Sequence, residues 1–423
     1  MSSDVPSGWQ IARFDQIANI ERGLTYSSEQ ECSSSEDGAV CVLRIPNVQN
    51  QRFVADDLKY LKGISDRHVT RYSVPPGSIL MVGSNGNADR VGNCCFVEAQ
   101  ARYVFASFLL RVVPDQISIE SRFLYYLLAG GDVQAAITDS VAGTTGLKNI
   151  SLEMLRAYSF AIPPLLEQKK IAAILCSVDE AIQATQAVID QTRRVKEGLL
   201  QDLLTRGMPG HTRFKMTELG EIPEEWEVRR LGDICELVTS GPRGWAAYYA
   251  DDGDVFLRSQ NIKNGFLDWT DSAFVRPPDG SETLRARLSP RDVLITITGN
   301  NVGNVAVFGG SKLPAYASQH VGVVRLSDRG MAPFLAAYLS PDGPGQRQLL
   351  KESYGQSKPG LSLIQLRNLL TPVPSNHERV RIDECISSVG QSISNSHLKL
   401  IVLQQAKSGL LQDLLTGKVR VSP

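Results

Sequence analysis

The octapeptide GLLQDLLT at residues 198–205 returns at 409–416, where it closes a longer match at a fixed offset of 211 residues. Between 167–205 and 378–416, 14 of 39 aligned positions are identical. Self-similarity over such a period means that one structural plan is built twice. In the first copy Ile171, Leu175, Val178, Ile182, Thr185, Ile189, Thr192, Lys196, Leu199 and Leu203 follow a 4-3-4-3 spacing. The second copy keeps the register with Ile382, Ile386, Val389, Ile393, Ser396, Leu400, Leu403, Lys407, Leu410 and Leu414. This is a heptad seam and predicts two long helices, each roughly 58 Å at 1.5 Å per residue. A helix of that length needs a partner along its stripe, and the other copy carries a matching one.

The ends of both helices carry start and stop chemistry. Pro163 and Pro164 suit the first helix start, Ser375 with Glu378 has the pattern of a capping box, and Gly207 with Pro209 stops the first helix. Gly198 and Gly409 each cost about 1 kcal/mol against Ala inside a helix. Keeping both implies close approach by the partner helix or a docked subunit, or else a kink or helix break near the end. Lys196 and Lys407 on the seam either fix register or lead their charge outward.

The segments ahead of the helices correspond more loosely. GWQIARFDQIANI (8–20) aligns with EWEVRRLGDICEL (225–237), pairing Trp9 with Trp226. LRIPNVQNQRF (43–53) aligns with LRSQNIKNGFL (257–267), pairing Arg44 with Arg258, Asn47 with Asn261 and Asn50 with Asn264. PPGSILMV (75–82) matches SPRDVLIT (289–296), and VGNCCF (91–96) matches VGNVAVF (302–308). Short β-branched runs between Gly, Asn and Pro read as strands, whereas ESRFLYYLLAG and APFLAAYLS read as short helices. The expected fold is mixed α/β: two globular α/β domains separated by two long antiparallel coiled-coil helices, in a pseudo-twofold internal repeat. The divisions are a globule at 1–163, a helix at 164–206, a linker at 207–217, a globule at 218–373, a helix at 374–417 and a tail at 418–423. The helices stayed alike while the globules drifted, which points to one demand met twice and two different targets.

Composition narrows the classes. The chain has 423 residues, 42% hydrophobic and 21% charged, which is ordinary globular usage. A net charge of -1 excludes a generic polybasic nucleic-acid binder but leaves room for local basic patches. Seven cysteines without a CxxC pair read as reduced thiols, mostly buried. No apolar run approaches the ~18 residues of a membrane span and no signal segment opens the chain, so a cytoplasmic location without membrane attachment is expected.

No catalytic motif has its full spacing in the sequence. LLTGKV has Gly-Lys without the upstream Gly or the following Ser/Thr of a P-loop. The proline pairs at 75–76, 163–164 and 277–278 lack the Asn/Asp-Pro-Pro-aromatic setting of an amino-methyltransferase. Pro114-Asp115 has no nearby Glu-x-Lys for a metal nuclease. The five histidines are scattered. Neither catalysis nor a resident metal or cofactor is expected.

The layout, with the phrases TELGEIPEEWEVRRLGDIC (217–235), IPPLLEQKKIAAIL (162–175) and LLQDLLTGKVRV (410–421), resembles the specificity subunits of Type I restriction-modification systems over nearly the whole chain. The resemblance implies two target-recognition domains, each reading one half of a split, asymmetric site in double-stranded DNA. It implies that the helices act as a spacer and dock two methyltransferase subunits, with motor and nuclease (restriction) subunits joining later. S-adenosylmethionine, ATP and Mg would then sit on those partners. An N-terminal helical region found in relatives is expected to be missing, since seven residues precede Gly8. The octapeptide is expected to be a surface offered twice to two copies of one partner.

Base reading calls for Arg or Lys at guanine and Asn or Gln at adenine, while phosphates call for Lys, Arg and hydroxyls. Candidates in the first globule are Asn85, Asn87, Arg90, Thr144, Thr145 and Lys148; in the second they are Asn300, Asn301, Asn304, Gln356, Ser357 and Lys358. The Gly-Asn loops equally suit turns with left-handed residues. Arg44, Asn47, Arg258 and Asn261 recur in both halves and so read as structural or backbone-positioning. Gln260 and Lys263 stand against Pro46 and Gln49, and Gln319 with His320 against Phe108 and Leu109, as differences fit to encode unlike half-sites or as ordinary drift. The competing reading is a coiled-coil scaffold presenting two protein-binding modules. A globule with hidden enzymatic activity is a third.

Overall fold

The computed structural model describes residues 5–49, 51–98, 102–141, 146–312, 314–353 and 360–421. Two compact units divide it, one of Met1–Thr185 with Lys399–Pro423 and one of Gln186–Leu398. The predicted helices run as α1, Leu165–Leu203, and α2, Asn376–Leu415. Each unit therefore consists of one globule and a length of both helices.

In the first unit an antiparallel sheet has the order Cys94–Phe96, Ile79–Val82, Leu109–Pro114, Ala18–Arg22. Its Ile-Leu-Met-Val strand is buried throughout, which is why that run is continuously apolar rather than alternating. A second sheet has the order Tyr103–Phe105, Val40–Leu43, Lys59–Leu61, Glu31–Cys32, its first pair parallel. The helix Ser121–Ala129 shares one core with the first sheet and with Ile171 and Leu175 of α1.

The second unit repeats both sheets. The orders are Val305–Val307, Val293–Thr296, Val321–Leu326, Cys235–Ser240 and Ala315–Ala317, Asp254–Leu257, Ala273–Val275, Tyr249–Ala250, again with one parallel pair in the second sheet. The helix Ala332–Leu339 takes the place of Ser121–Ala129. The segment read as a linker contains structure of its own, since Phe214–Thr217 pairs with Gly220–Pro223 as a hairpin.

The helices run antiparallel within each unit. In the first, Lys407 Nζ lies 2.8 Å from Asp179, and Arg420, just past α2, donates to Glu167 in the first turn of α1. In the second, Arg193 lies 3.1 Å from His397 Nε2, and the Met208 amide just past α1 donates to Glu378 in the first turn of α2. The seam is real: Ile171, Leu175, Ile182, Thr185, Ile189, Leu203, Ile382 and Leu414 are buried, and Val178, Leu199, Ile386, Val389, Ile393, Leu400, Leu403 and Leu410 are half-buried. Lys407 keeps its place on it through Asp179.

Several expectations about the helices change. The leucines of the octapeptide are anchors within the chain: Leu200, Leu203 and Leu204 enter the core of the second globule with Trp226, and Leu414 enters that of the first. A free surface for a partner would not bury them. Gly198 and Gly409 face open space, with nothing within 4 Å of an added Cβ, and both helices run through them unbroken. Close approach by the partner helix and a break are thus both excluded. The capping box is half made: Ser375 Oγ accepts from the Glu378 amide at 3.3 Å, but the Glu378 carboxylate accepts from the Met208 amide, His211 and the Trp226 indole at 2.7–2.8 Å. Glu167 occupies the same place on α1, and both its oxygens accept from Arg420 at 2.8 Å.

Two composition readings also change. One helix, α1, is long and apolar enough over an 18-residue window to satisfy the length-and-composition test for a membrane span, because small residues such as Ala181 and Ala184 lie between its seam positions. Of that window 28% is buried within the structure. Of the seven cysteines only Cys41, Cys94 and Cys95 are buried, the others being half-buried. Burial pushes the Cys41 thiol up to about 11 and that of Cys95 to about 12.

Candidate nucleic-acid interface

Antiparallel pairing sends alternate strand ends to the same edge of a sheet. In the first globule one edge receives the C-terminal ends of Ala18–Arg22 and Ile79–Val82 and the N-terminal ends of Leu109–Pro114 and Cys94–Phe96. The loops gathered there are 22–26, 83–93 and 106–108. The second sheet delivers Arg44 to the same edge, because the Ala106 amide donates to Leu43 O at 2.9 Å. Ser84–Asn85 pairs with Lys148–Asn149, and the Ile150 amide donates to Gly83 O at 2.9 Å. Asn85, Asn87, Arg90 and Lys148, from two loops far apart in sequence, are thereby brought to one cluster. Asn85 Oδ1 accepts from the Asn87 amide at 2.8 Å and Asn87 Oδ1 from the Asp89 amide at 3.0 Å. The turn reading therefore holds for the amide oxygens, and the Nδ2 donors remain for a ligand.

The second globule gathers the corresponding loops after Ser240 and Thr296 and before Val321 and Val305. Ser318 N donates to Leu257 O at 2.8 Å and Leu361 N to Ile297 O at 2.8 Å. Asn300, Asn301 and His320 are exposed and Gln319 half-buried. His320 Nδ1 bonds to Thr298 Oγ1, and its Nε2 lies 3.0 Å from Gln319 Nε2. Arg243 is exposed just beyond the strand Cys235–Ser240 and was missed in the sequence, where nothing ties it to this edge. Gly241 brings that stretch of chain there: an added Cβ would lie 1.8 Å from Ala317 O, just as Gly23 in the first globule admits Ala106 O at 2.3 Å.

Other candidates are occupied internally. Asn47 and Asn261 are 0% and 3% exposed. Asn47 Oδ1 accepts from Arg44 N at 2.8 Å while Nδ2 donates to Val54 O and Asp56 O; Asn261 does the same for Arg258 N, Asp268 O and Asp271 O. With every amide hydrogen committed, neither can read a base. Arg44 and Arg258 clamp Asp57 and Asp271. Gln260 donates to Asp271, Asn304 to Ile262 O, and Lys263 lies 3.8 Å from Asp268. Thr144, Thr145, Gln356, Ser357 and Lys358, with Asn50, lie outside the described residues.

One pairing of the two halves moves by a residue. Ala106 and Ser318 make equivalent backbone bonds, and Leu109 and Val321 open equivalent strands. Phe108 therefore corresponds to His320, and Ser107 to Gln319. Among the described residues no group of three or more His, Cys, Asp or Glu is placed to hold a metal.

A chain in which one sheet-and-loop scaffold appears twice, each copy seated on antiparallel helices and each with different side chains at the same edge, is a two-module recognition protein. The family model described as Type I restriction modification DNA specificity domain matches residues 6–192 and 223–405. The chain belongs to this family, that of the Type I restriction-modification specificity subunits. It is 25% identical over 321 residues to the Type I restriction enzyme MjaVIII specificity subunit of Methanocaldococcus jannaschii, covering 75% of each chain. The Type I restriction enzyme EcoKI specificity subunit of Escherichia coli is 24% identical over 309 residues, 72% of this chain and 64% of that one. In fold the chain is similar to the crystal structure of the S subunit from M. genitalium, with a TM-score of 0.61 and 16% identity, covering 98% of both.

Proposed function

We propose that this chain is the non-catalytic DNA-reading subunit of a Type I restriction-modification complex, each globule reading one half of a bipartite asymmetric duplex site. The observation that carries this is the pair of equivalent loop edges on one scaffold, polar in both globules yet unlike in side chains. Asn85, Asn87, Arg90 and Lys148 serve one half-site, and Asn300, Asn301, Gln319 and His320 the other. Thr144 and Thr145, and Gln356, Ser357 and Lys358, neighbours of these segments in sequence, are taken to contribute to the same contacts. Residues 1–163 and 218–373 act as the recognition domains. Helices 164–206 and 374–417 set the spacing and dock two methyltransferase subunits, which restriction subunits join in the cytoplasm. S-adenosylmethionine, ATP and Mg belong to those partners.

The test is selection from duplexes with two randomised blocks, using this chain assembled with its methyltransferase subunits. A bipartite consensus is expected, with affinity that falls steeply with salt as counterions are released. Indifference to DNA sequence would instead favour a protein-binding scaffold.

A further inference from the structure

The turns before Leu109 and Val321 share a backbone and differ in chemistry. Phe108 O accepts from Gly83 N at 2.9 Å and Ser84 N at 3.2 Å, while His320 O accepts from Ile297 N at 3.0 Å. Phe108 nevertheless leaves 48% of its surface in water, beside the ribbon that carries Leu147, itself 52% exposed. Exposure of an aromatic ring at the tip of a turn gives the fold nothing and costs part of the transfer free energy a buried ring would contribute. In the second globule the same turn is polar. Gln319 Nε2 has only hydrogens to offer, so His320 Nε2, 3.0 Å away, is the acceptor. Nδ1 then carries the proton and donates to Thr298 Oγ1. This holds the Gln319 amide with one N–H and its Oε1 uncommitted, a donor beside an acceptor.

We propose that these two equivalent turns are base-reading elements of opposite character: Phe108 makes apolar contact with a thymine methyl in one half-site, and Gln319, oriented by His320, makes a paired hydrogen bond to the N6/N7 edge of an adenine in the other. The physical basis is that the major groove distinguishes bases by the thymine methyl and by adenine's adjacent donor and acceptor. The proposal rests on the reading of the chain as a bipartite DNA reader, and it assigns particular residues to particular chemistry.

The experiment measures binding of the complex with its methyltransferase subunits to a pool of duplexes randomised in both half-sites, for the wild type, Phe108→Ala, Phe108→Leu and Gln319→Ala. Phe108→Ala should relax a thymine preference at one position of one half-site by roughly 10-fold, whereas Phe108→Leu keeps it. Replacing that dT by dU should weaken the wild type and leave Phe108→Ala unaffected. Gln319→Ala should relax an adenine preference in the other half-site alone. Unchanged preferences with selective binding intact would overturn the assignment and leave the DNA-reading function standing, as would a loss uniform over all sequences, which marks phosphate positioning. If the wild type shows no bipartite selection, the functional reading itself fails.

Discussion

Asn47 and Asn261 show how duplication separates structure from specificity at the scale of one residue. Both hold the loop after a strand by the same three hydrogen bonds, although the surrounding sequences have drifted. Asn261→Ala would leave buried backbone groups without partners and should destabilise the second unit by about 1–3 kcal/mol, read by chemical denaturation. Asn300→Ala, at an exposed position, should stay within about 0.5 kcal/mol and act on DNA binding instead. Gly198→Ala makes a further test. With open space around it and a helical backbone, it should stabilise the protein by about 1 kcal/mol. The sequence carried the distinction between retained and divergent positions, but setting Gln319 and His320 against Phe108 and Leu109, one residue out of register, showed that loops without periodicity are aligned only by their hydrogen bonds.

At the scale of elements, the helix starts were legible and their partners were not. Glu167 and Glu378 stand 211 residues apart at equivalent places and both accept from the segment that leaves the other helix. Burial opposes ionisation of Glu378, but donors from His211, Trp226 and Met208 outweigh it and hold its carboxyl below the usual carboxylate range. A depressed pKa contributes stability that is present above the unfolded value of 4.5 and lost as pH falls through the folded one. Glu378→Gln should therefore cost about 1.5–3 kcal/mol near neutral pH, and the deficit should shrink on acidification below 4.5, measured by urea denaturation at several pH values. Arg420 does the same for Glu167 and lies beyond the repeated octapeptide. A capping box was a sound local reading of Ser375 and Glu378, overridden because the carboxylate found stronger donors from distant sequence.

At the scale of the whole molecule, each compact unit takes in chain from both copies of the repeat, so neither copy alone is a complete unit. The first unit needs 399–423 to cover Ile171 and Leu175 with Leu414 and to engage Glu167. A chain ending at residue 398 should lose the thermal stability of the first unit while the second keeps its own, which calorimetry would show as a lowered first transition beside an unchanged one. The sequence by itself determined the duplication, the two long helices, their seam and the mixed α/β character of the globules, because heptad spacing, strand runs and turn residues are local patterns set by the geometry of the backbone. Only the tertiary structure decided that the octapeptide leucines anchor the helix ends in the globules, that Asn47 and Asn261 face inward, and that the loops carrying Asn85, Phe108 and Lys148 share one edge. Those outcomes depend on which strands are neighbours and on hydrogen bonds between residues far apart in the chain, and no local pattern encodes them.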